Sequence, residues 1–99
     1  MKKAAIVGAG IGGIAASVRL ALKGYQVTVY ETNESFGGKM HEFWLGGYRF
    51  DAGPSLFTLP HLVDELFELA KRNPTDYFLY TRLNPITHYF WPDGSHLKA

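Results

Sequence analysis

A parallel α/β fold is predicted by three observations near the N-terminus: an apolar run, a cluster of glycines directly after it, and a second apolar run that ends on an acid. Ala4-Ala5-Ile6-Val7 carries no polar side chain and reads as a short strand buried in a parallel sheet. Gly8-Ala9-Gly10-Ile11-Gly12-Gly13 follows without a linker and opens a helix predicted from about Gly12 to Lys23. Ile11, Ala15, Val18 and Leu22 form one apolar stripe, Ile14 and Ala21 widen it, and Arg19 and Lys23 share the opposite side at i,i+4. Gly24 stands where a left-handed residue closes a helix. Val27-Thr28-Val29-Tyr30 is the second strand, and Glu31, twenty-three residues beyond Gly8, arrives at its carboxyl end.

Strand, glycine turn, helix, strand and acid in this order make a dinucleotide site, and the fold class is a Rossmann-like βαβ start. Gly8 permits the sharp turn, Gly10 lets the backbone approach a pyrophosphate, and Gly13 lets the helix lie close on the strand. The phosphates are expected on free N–H groups at the positive end of the helix dipole. Glu31 is expected to accept hydrogen bonds from the adenine ribose hydroxyls. It would repel a 2′-phosphate, and Thr32-Asn33 bring no arginine, so NADP is disfavoured. Lys2 and Lys3 before an uncharged stretch also fit the outline of a secretory leader. Four glycines would weaken its apolar helix, and a leader leaves the Glu31 strand unexplained.

Composition narrows the remaining classes. The chain has 99 residues, 46% of them hydrophobic, which suits one globular domain or a piece of one. Net charge is +1 with no run of Lys and Arg, which argues against a nucleic-acid partner. Without cysteine there is no disulfide, iron–sulfur or thiol chemistry. His41, His61, His88 and His96 are far apart in sequence, so no metal site is predicted.

After a polar loop ending on Gly37-Gly38-Lys39, a small antiparallel hairpin is predicted: a strand over Met40–Leu45, a Gly46-Gly47 turn, and a return over Tyr48–Phe50. Phe43, Trp44 and Phe50 read as hairpin core rather than a stacking platform. A second helix is expected from a Thr58 N-cap with Pro60 in its first turn. Leu59, Leu62, Val63, Leu66, Phe67 and Ala70 line its apolar face, and Asn73-Pro74 ends it. Tyr77–Leu83 and Ile86–Trp91 read as strands separated by Asn84-Pro85. Their aromatics suit an apolar tunnel or an ordinary half-buried sheet equally well. Pro92-Asp93-Gly94-Ser95 turns the chain back into an arm from His96 to Ala99, expected to lack a partner. With only two parallel strands in view, the sequence is expected to be a truncated, N-terminal part of a longer protein.

Beyond the glycine turn, Leu20, Gly24, Val27, Val29 and Glu31 are followed by Gly37-Gly38-Lys39 and then Gly47-Tyr48-Arg49-Phe50-Asp51-Ala52-Gly53-Pro54-Ser55. This series resembles the N-terminus of the phytoene desaturase (carotenoid desaturase and isomerase) family, FAD-dependent oxidoreductases with amine-oxidase-like architecture. The resemblance runs over essentially the whole chain, and Phe50-Asp51-Ala52-Gly53-Pro54 is its most selective piece. It implies that Gly8, Ala9, Gly10, Ile11, Gly12 and Gly13 hold the FAD pyrophosphate and Glu31 the adenosine ribose. It further implies that Gly37 and Gly38 let the backbone approach the cofactor. Lys39 stands where relatives usually carry arginine, offering a point charge in place of a planar fork. Asp51, Gly53, Pro54 and Ser55 would pass near the flavin end, although Asp51 also fits a plain turn or cap acid.

By the same resemblance, residues 1–75 would begin the FAD-binding domain and residues 76–99 an antiparallel substrate domain. The implied reaction is desaturation of an apolar polyene by hydride transfer to FAD, with the hard chemistry belonging to the cofactor. None of these residues is assigned as a catalytic acid or base. An amine-oxidase-like or carotenoid-ketolase-like flavoprotein, an NAD-dependent protein and a non-catalytic binding module are the alternatives. A cytoplasmic location is expected, with room for peripheral contact at the cytoplasmic membrane, and the isolated segment is expected to self-associate and to bind FAD poorly.

Overall fold

The computed structural model describes residues 1–99. Strand β1 (Lys3–Val7) runs into helix α1 (Ile11–Leu22), which returns the chain to strand β2 (Gln26–Tyr30). The two strands are parallel, in register from Lys3 opposite Gln26 to Val7 opposite Tyr30. This is the βαβ unit expected from the sequence. Alternation along β1 decides its sides: Ala4 and Ile6 are half-buried, whereas Ala5 and Val7 are exposed. Helix α1 therefore covers one face of the sheet and leaves the other bare, with Val7 89% exposed.

Helix α1 ends as Gly24 dictates. At φ +93° this glycine is left-handed, its N–H donates to the Ala21 carbonyl at 3.0 Å, and the Tyr25 N–H donates to the Leu20 carbonyl at 3.1 Å. The pair is a Schellman closure, which satisfies carbonyls the helix leaves without partners.

Strands β3 (Glu42–Leu45) and β4 (Tyr48–Asp51) form the predicted hairpin. Gly46 and Gly47 connect them with φ of +59° and +83°, the conformation a two-residue hairpin turn demands. Phe43 stacks on Phe50 across the strands at 5.2 Å between centroids. Both rings remain close to half exposed, so the expected hairpin core is a ring pair on an open face.

Helix α2 (Pro60–Leu69) departs from expectation at both ends. Its N-cap is Leu59, left-handed at φ +51° and without a side-chain cap bond, so Thr58 does not cap it. With Pro60 as first helical residue, the flanking position falls on Leu59, and proline disfavours right-handed helical backbone there. The far end closes before Asn73: Lys71 turns left-handed at φ +57°, and the Arg72 N–H donates to the Phe67 carbonyl at 2.8 Å. Asn73 instead caps a short 3₁₀ turn (Pro74–Asp76), where its side chain accepts from the Thr75 N–H at 3.1 Å.

The predicted strand over Tyr77–Leu83 is absent. Its aromatics lean on α2 and on Phe57 instead: Phe67 lies 5.0 Å from Tyr77 and 5.5 Å from Phe78, and Phe57 lies 5.4 Å from Tyr80. The Tyr80 hydroxyl donates to Asp64 at 2.8 Å, which raises the Tyr80 pKa. No neighbouring strand offers these residues a ladder, so period-two spacing serves side-chain packing on a helix.

Strand β5 covers only His88–Phe90 and pairs antiparallel with β6 (His96–Lys98). The arm expected to lack a partner is paired to its last residue, since Ala99 N–H donates to the Thr87 carbonyl and the Ala99 carbonyl accepts from Ile86. Gly94 at φ +89° and Asp93, whose carboxylate accepts from the Ser95 N–H at 2.8 Å, make the turn.

Three separate two-stranded sheets result, and Ala9 alone is buried. The radius of gyration is 18.0 Å, against about 13 Å for a compact chain of this length. No helix is long and apolar enough to cross a membrane.

Lys71 supplies a test of the α2 closure. A side chain in left-handed backbone is strained, so Lys71→Gly should raise stability by about 0.5–1 kcal/mol despite the added freedom of the unfolded chain. A denaturant midpoint unchanged or lowered by the substitution would contradict this account of the helix end.

Candidate functional site

The glycine turn between β1 and α1 is organised around the peptide groups of Ala9, the one buried residue. Gly8 N–H donates to the Tyr30 carbonyl at 2.7 Å and ties the turn to the end of β2. Ala9 N–H donates to Glu31 Oε1 at 2.8 Å, and the Ala9 carbonyl accepts from Gly37 N–H at 2.7 Å. The second oxygen of Glu31 accepts from Asn33 N–H at 3.0 Å and lies 3.5 Å from the Thr32 hydroxyl. The Asn33 and Ala9 N–H groups hold the Glu31 carboxyl below the usual carboxylate range.

Helix α1 then starts with an extended Gly10 as N-cap and no side-chain cap bond. The N–H groups of Gly10, Ile11, Gly12 and Gly13 have no acceptor within the protein. These are the orphan donors of a helix start, at the positive end of its dipole, and an anion is their natural partner.

The glycines divide into two kinds. A Cβ on Gly13 would overlap the Gly8 carbonyl and come within 3.3 Å of Ile6, so bare backbone is needed for helix to meet strand. Gly10 is different: its backbone angles are ordinary, and a Cβ there would meet nothing closer than Gly38 Cα at 3.9 Å. Gly12 has no neighbour within 4 Å, although glycine inside a helix costs about 1 kcal/mol relative to alanine. Nothing in the chain itself requires these two residues to lack side chains. Gly12 faces open space and Gly10 makes only ordinary contact with Gly38, so neither crowds the unpaired N–H groups beside it.

Gly37 and Gly38 come to the turn, where Gly37 N–H bonds the Ala9 carbonyl. A Cβ on Gly38 would stand 3.1 Å from Gly10 Cα. Lys39 enters this arrangement through its backbone: a Cβ on Gly53 would overlap the Lys39 carbonyl, and Ala52 N–H donates to the His41 carbonyl at 2.8 Å. Asp51 and Gly53 are thus tethered to the loop that closes on the glycine turn. Pro54 borders a cleft of about 530 Å³ between that loop and the hairpin, lined also by Phe36, Met40, His41 and Arg49. Ser55 makes no side-chain hydrogen bond in this arrangement.

Two features escaped the sequence reading. Arg49 is held between Glu42 and Asp51, donating to Asp51 at 2.8 Å and also to Glu42, whose pKa it lowers. The two-residue Gly46-Gly47 turn was a usable signal, since it places Glu42 opposite Asp51 and two residue pairs from Arg49, on the same face. Asp51 is therefore an ion-pair partner, not a turn or cap acid. Arg19 pairs with Glu65 at 3.2 Å across α1 and α2, a contact no local pattern announces.

The profile of the NAD(P)-binding Rossmann-like domain matches residues 6–72. The chain belongs to this domain family. It is similar over all 99 residues, at 57% identity, to a 1-hydroxycarotenoid 3,4-desaturase of Flavobacterium sp. (strain P99-3), covering 20% of that protein. It is also 41% identical over 90 residues to a 4,4'-diaponeurosporene oxygenase of Staphylococcus aureus, covering 18% of it. The chain spans about a fifth of the length of these curated relatives. A solved Pyrococcus furiosus structure shares the fold, with a TM-score of 0.68 at 24% identity over 97% of this chain and 24% of that one. The resemblance to carotenoid desaturases and oxygenases is thus shown across the chain.

Because its folded-state pKa is lowered, Glu31 stabilises the turn fully above the ordinary carboxylate range, and this contribution is lost as pH falls through the lowered value. An acid titration followed at the Ala9 amide resonance should show its transition below the usual glutamate midpoint. A transition at or above that midpoint would refute the assignment.

Proposed function

We propose that this chain forms the ADP side of the FAD site in a flavin-dependent oxidoreductase that desaturates an apolar polyene. The observation that carries the proposal is the run of four unpaired N–H groups from Gly10 to Gly13, beside Gly12, which faces open space, and Gly10, where a Cβ would make only ordinary contact. Gly8, Ala9, Gly10, Ile11, Gly12 and Gly13 would hold the pyrophosphate, and Glu31 the ribose hydroxyls. Gly37-Gly38 favours FAD over NAD, because this loop folds onto Ala9 and Gly10 and brings Lys39 with it. Asp51, Gly53, Pro54 and Ser55 would continue the site toward the flavin.

When bound, FAD supplies a two-electron acceptor for the hydride that leaves the substrate carbon. Under this proposal the residues of this chain bind and orient the cofactor. In this reading residues 1–75 open the cofactor domain, and residues 76–99, with their exposed aromatics, open the part that meets an apolar substrate. A second reading, oxygen insertion into the same class of substrate, is favoured by the 41% identity to the oxygenase. Product analysis with an apolar polyene separates the two, since desaturation removes two hydrogens and oxygenation adds mass.

The protein as encoded should purify with flavin absorbance. Gly10→Val sets a branched side chain beside these N–H groups and should lower flavin affinity by at least about tenfold while the circular dichroism spectrum persists. Parent-like flavin stoichiometry in that variant would sink the proposal.

Expressed alone, the 99 residues would carry uncovered apolar surface. Val7 and Leu79 are more than four-fifths exposed, and three sheets keep open edges. Sedimentation should show association that grows with concentration, and weak flavin binding at most. A compact monomer binding FAD stoichiometrically would count against it.

A further inference from the structure

Glu31 already has work before any ligand arrives. Its two oxygens receive separate backbone donors, Ala9 N–H at 2.8 Å from the glycine turn and Asn33 N–H at 3.0 Å from the loop after β2. Ala9 lies between the glycine that makes the turn and the glycine that caps α1. Its carbonyl is fixed from the other side by Gly37. The orientation of the Ala9 peptides sets where the next N–H groups, those of Gly10 and Ile11, point.

We infer that Glu31 is a positioning residue for pyrophosphate binding: its carboxylate latches Ala9 and so preforms the glycine turn, independently of any contact with a ribose. This inference rests on the reading of the turn as a dinucleotide site and deepens it. Removing the latch leaves the N–H of the most buried residue without an acceptor, and the turn must shift to find another. Glutamine cannot replace the acid, because its single oxygen serves one N–H and its NH₂ group meets the other donor to donor. Aspartate keeps the charge but, one methylene shorter, cannot span both donors in their present positions.

Ligand and protein deletions together separate the latch from the ribose contact. Calorimetry on flavin-free protein as encoded would compare ADP with 2′,3′-dideoxy-ADP, which keeps the pyrophosphate and lacks the diol. Glu31→Gln is expected to weaken dideoxy-ADP binding by about tenfold and ADP binding by more. Circular dichroism confirms the fold, and the Ala9 and Asn33 amide resonances show which bond the glutamine gives up. If Ala9 keeps its bond, Glu31→Ala, which offers neither N–H an acceptor, replaces Glu31→Gln in every comparison. If Glu31→Gln weakens ADP but leaves dideoxy-ADP unchanged, the latch is overturned and the ribose contact stands. If the parent binds both ligands equally while Glu31→Gln weakens both alike, the latch holds and the ribose contact fails. If the parent binds neither, the dinucleotide site fails and the latch falls with it. Should Glu31→Gln not fold, Glu31→Asp decides: weakened dideoxy-ADP binding supports the latch, and parent affinity overturns it.

Discussion

The peptide groups of Ala9 are the point on which the arrangement turns. One side is held by the acid that ends β2, the other by Gly37 from the loop beyond it, and neither bond is local in sequence. A single glycine turn could adopt many conformations, because glycine loses more freedom on ordering than any other residue. Clamping the one non-glycine residue between Gly8 and Gly10 removes most of that freedom at once. The donors from Gly10 to Gly13 remain unpaired at the positive end of the helix dipole. Strand, helix and loop meet at this position, which is why it is buried in a chain that buries nothing else.

That clamp matters more because there is no closed core to share the work. Parallel sheets are ordinarily covered on both faces, yet α1 lies on the Ile6 side of β1 and nothing covers Val7. The β3–β4 hairpin likewise pairs Phe43 with Phe50 on a face that stays open. Apolar burial, at about 25 cal/mol per Å², therefore contributes little, and backbone hydrogen bonds with close glycine contacts set the local geometry. Arg19 with Glu65 adds a link between α1 and α2, but half-exposed pairs of this kind stabilise weakly.

What could be read in the sequence was whatever a short stretch of backbone decides by itself. Gly24 closes α1 and Gly46-Gly47 turns the hairpin because few other residues adopt positive φ at low cost. Glu31 was legible because a strand's length and a helix's length fix its distance from Gly8. Thr58 failed as a cap since Pro60 moved the flanking position to Leu59, a rule that competes with cap preference and wins. Tyr77–Leu83 failed for a different reason. Period-two aromatics describe a strand only if a partner strand lies beside them, and here Phe67 and Phe57 took the rings. The Glu31–Ala9 and Arg49–Glu42 bonds were out of reach because they depend on how elements meet.

The hairpin reaches the glycine turn by the same means. Glu42 and Asp51 stand directly opposite in the ladder, an unfavourable placement for like charges. Arg49 donates to both acids and turns that repulsion into a brace at the open end of the hairpin. From Asp51 the chain passes to Ala52, which bonds the His41 carbonyl, and to Gly53, which lies under the Lys39 carbonyl. Lys39 follows Gly38, whose backbone rests against Gly10. A continuous series of backbone contacts thus runs from the brace to the turn. Glycine matters at two of the links: a Cβ on Gly53 would overlap the Lys39 carbonyl, and one on Gly38 would crowd Gly10 at 3.1 Å. The glycines at 38 and 53 therefore set how the loop and the hairpin meet the turn, as those at 8 and 13 shape the turn itself. The series also explains how a segment more than forty residues from the glycine turn is brought against the loop that packs on it without a core between them.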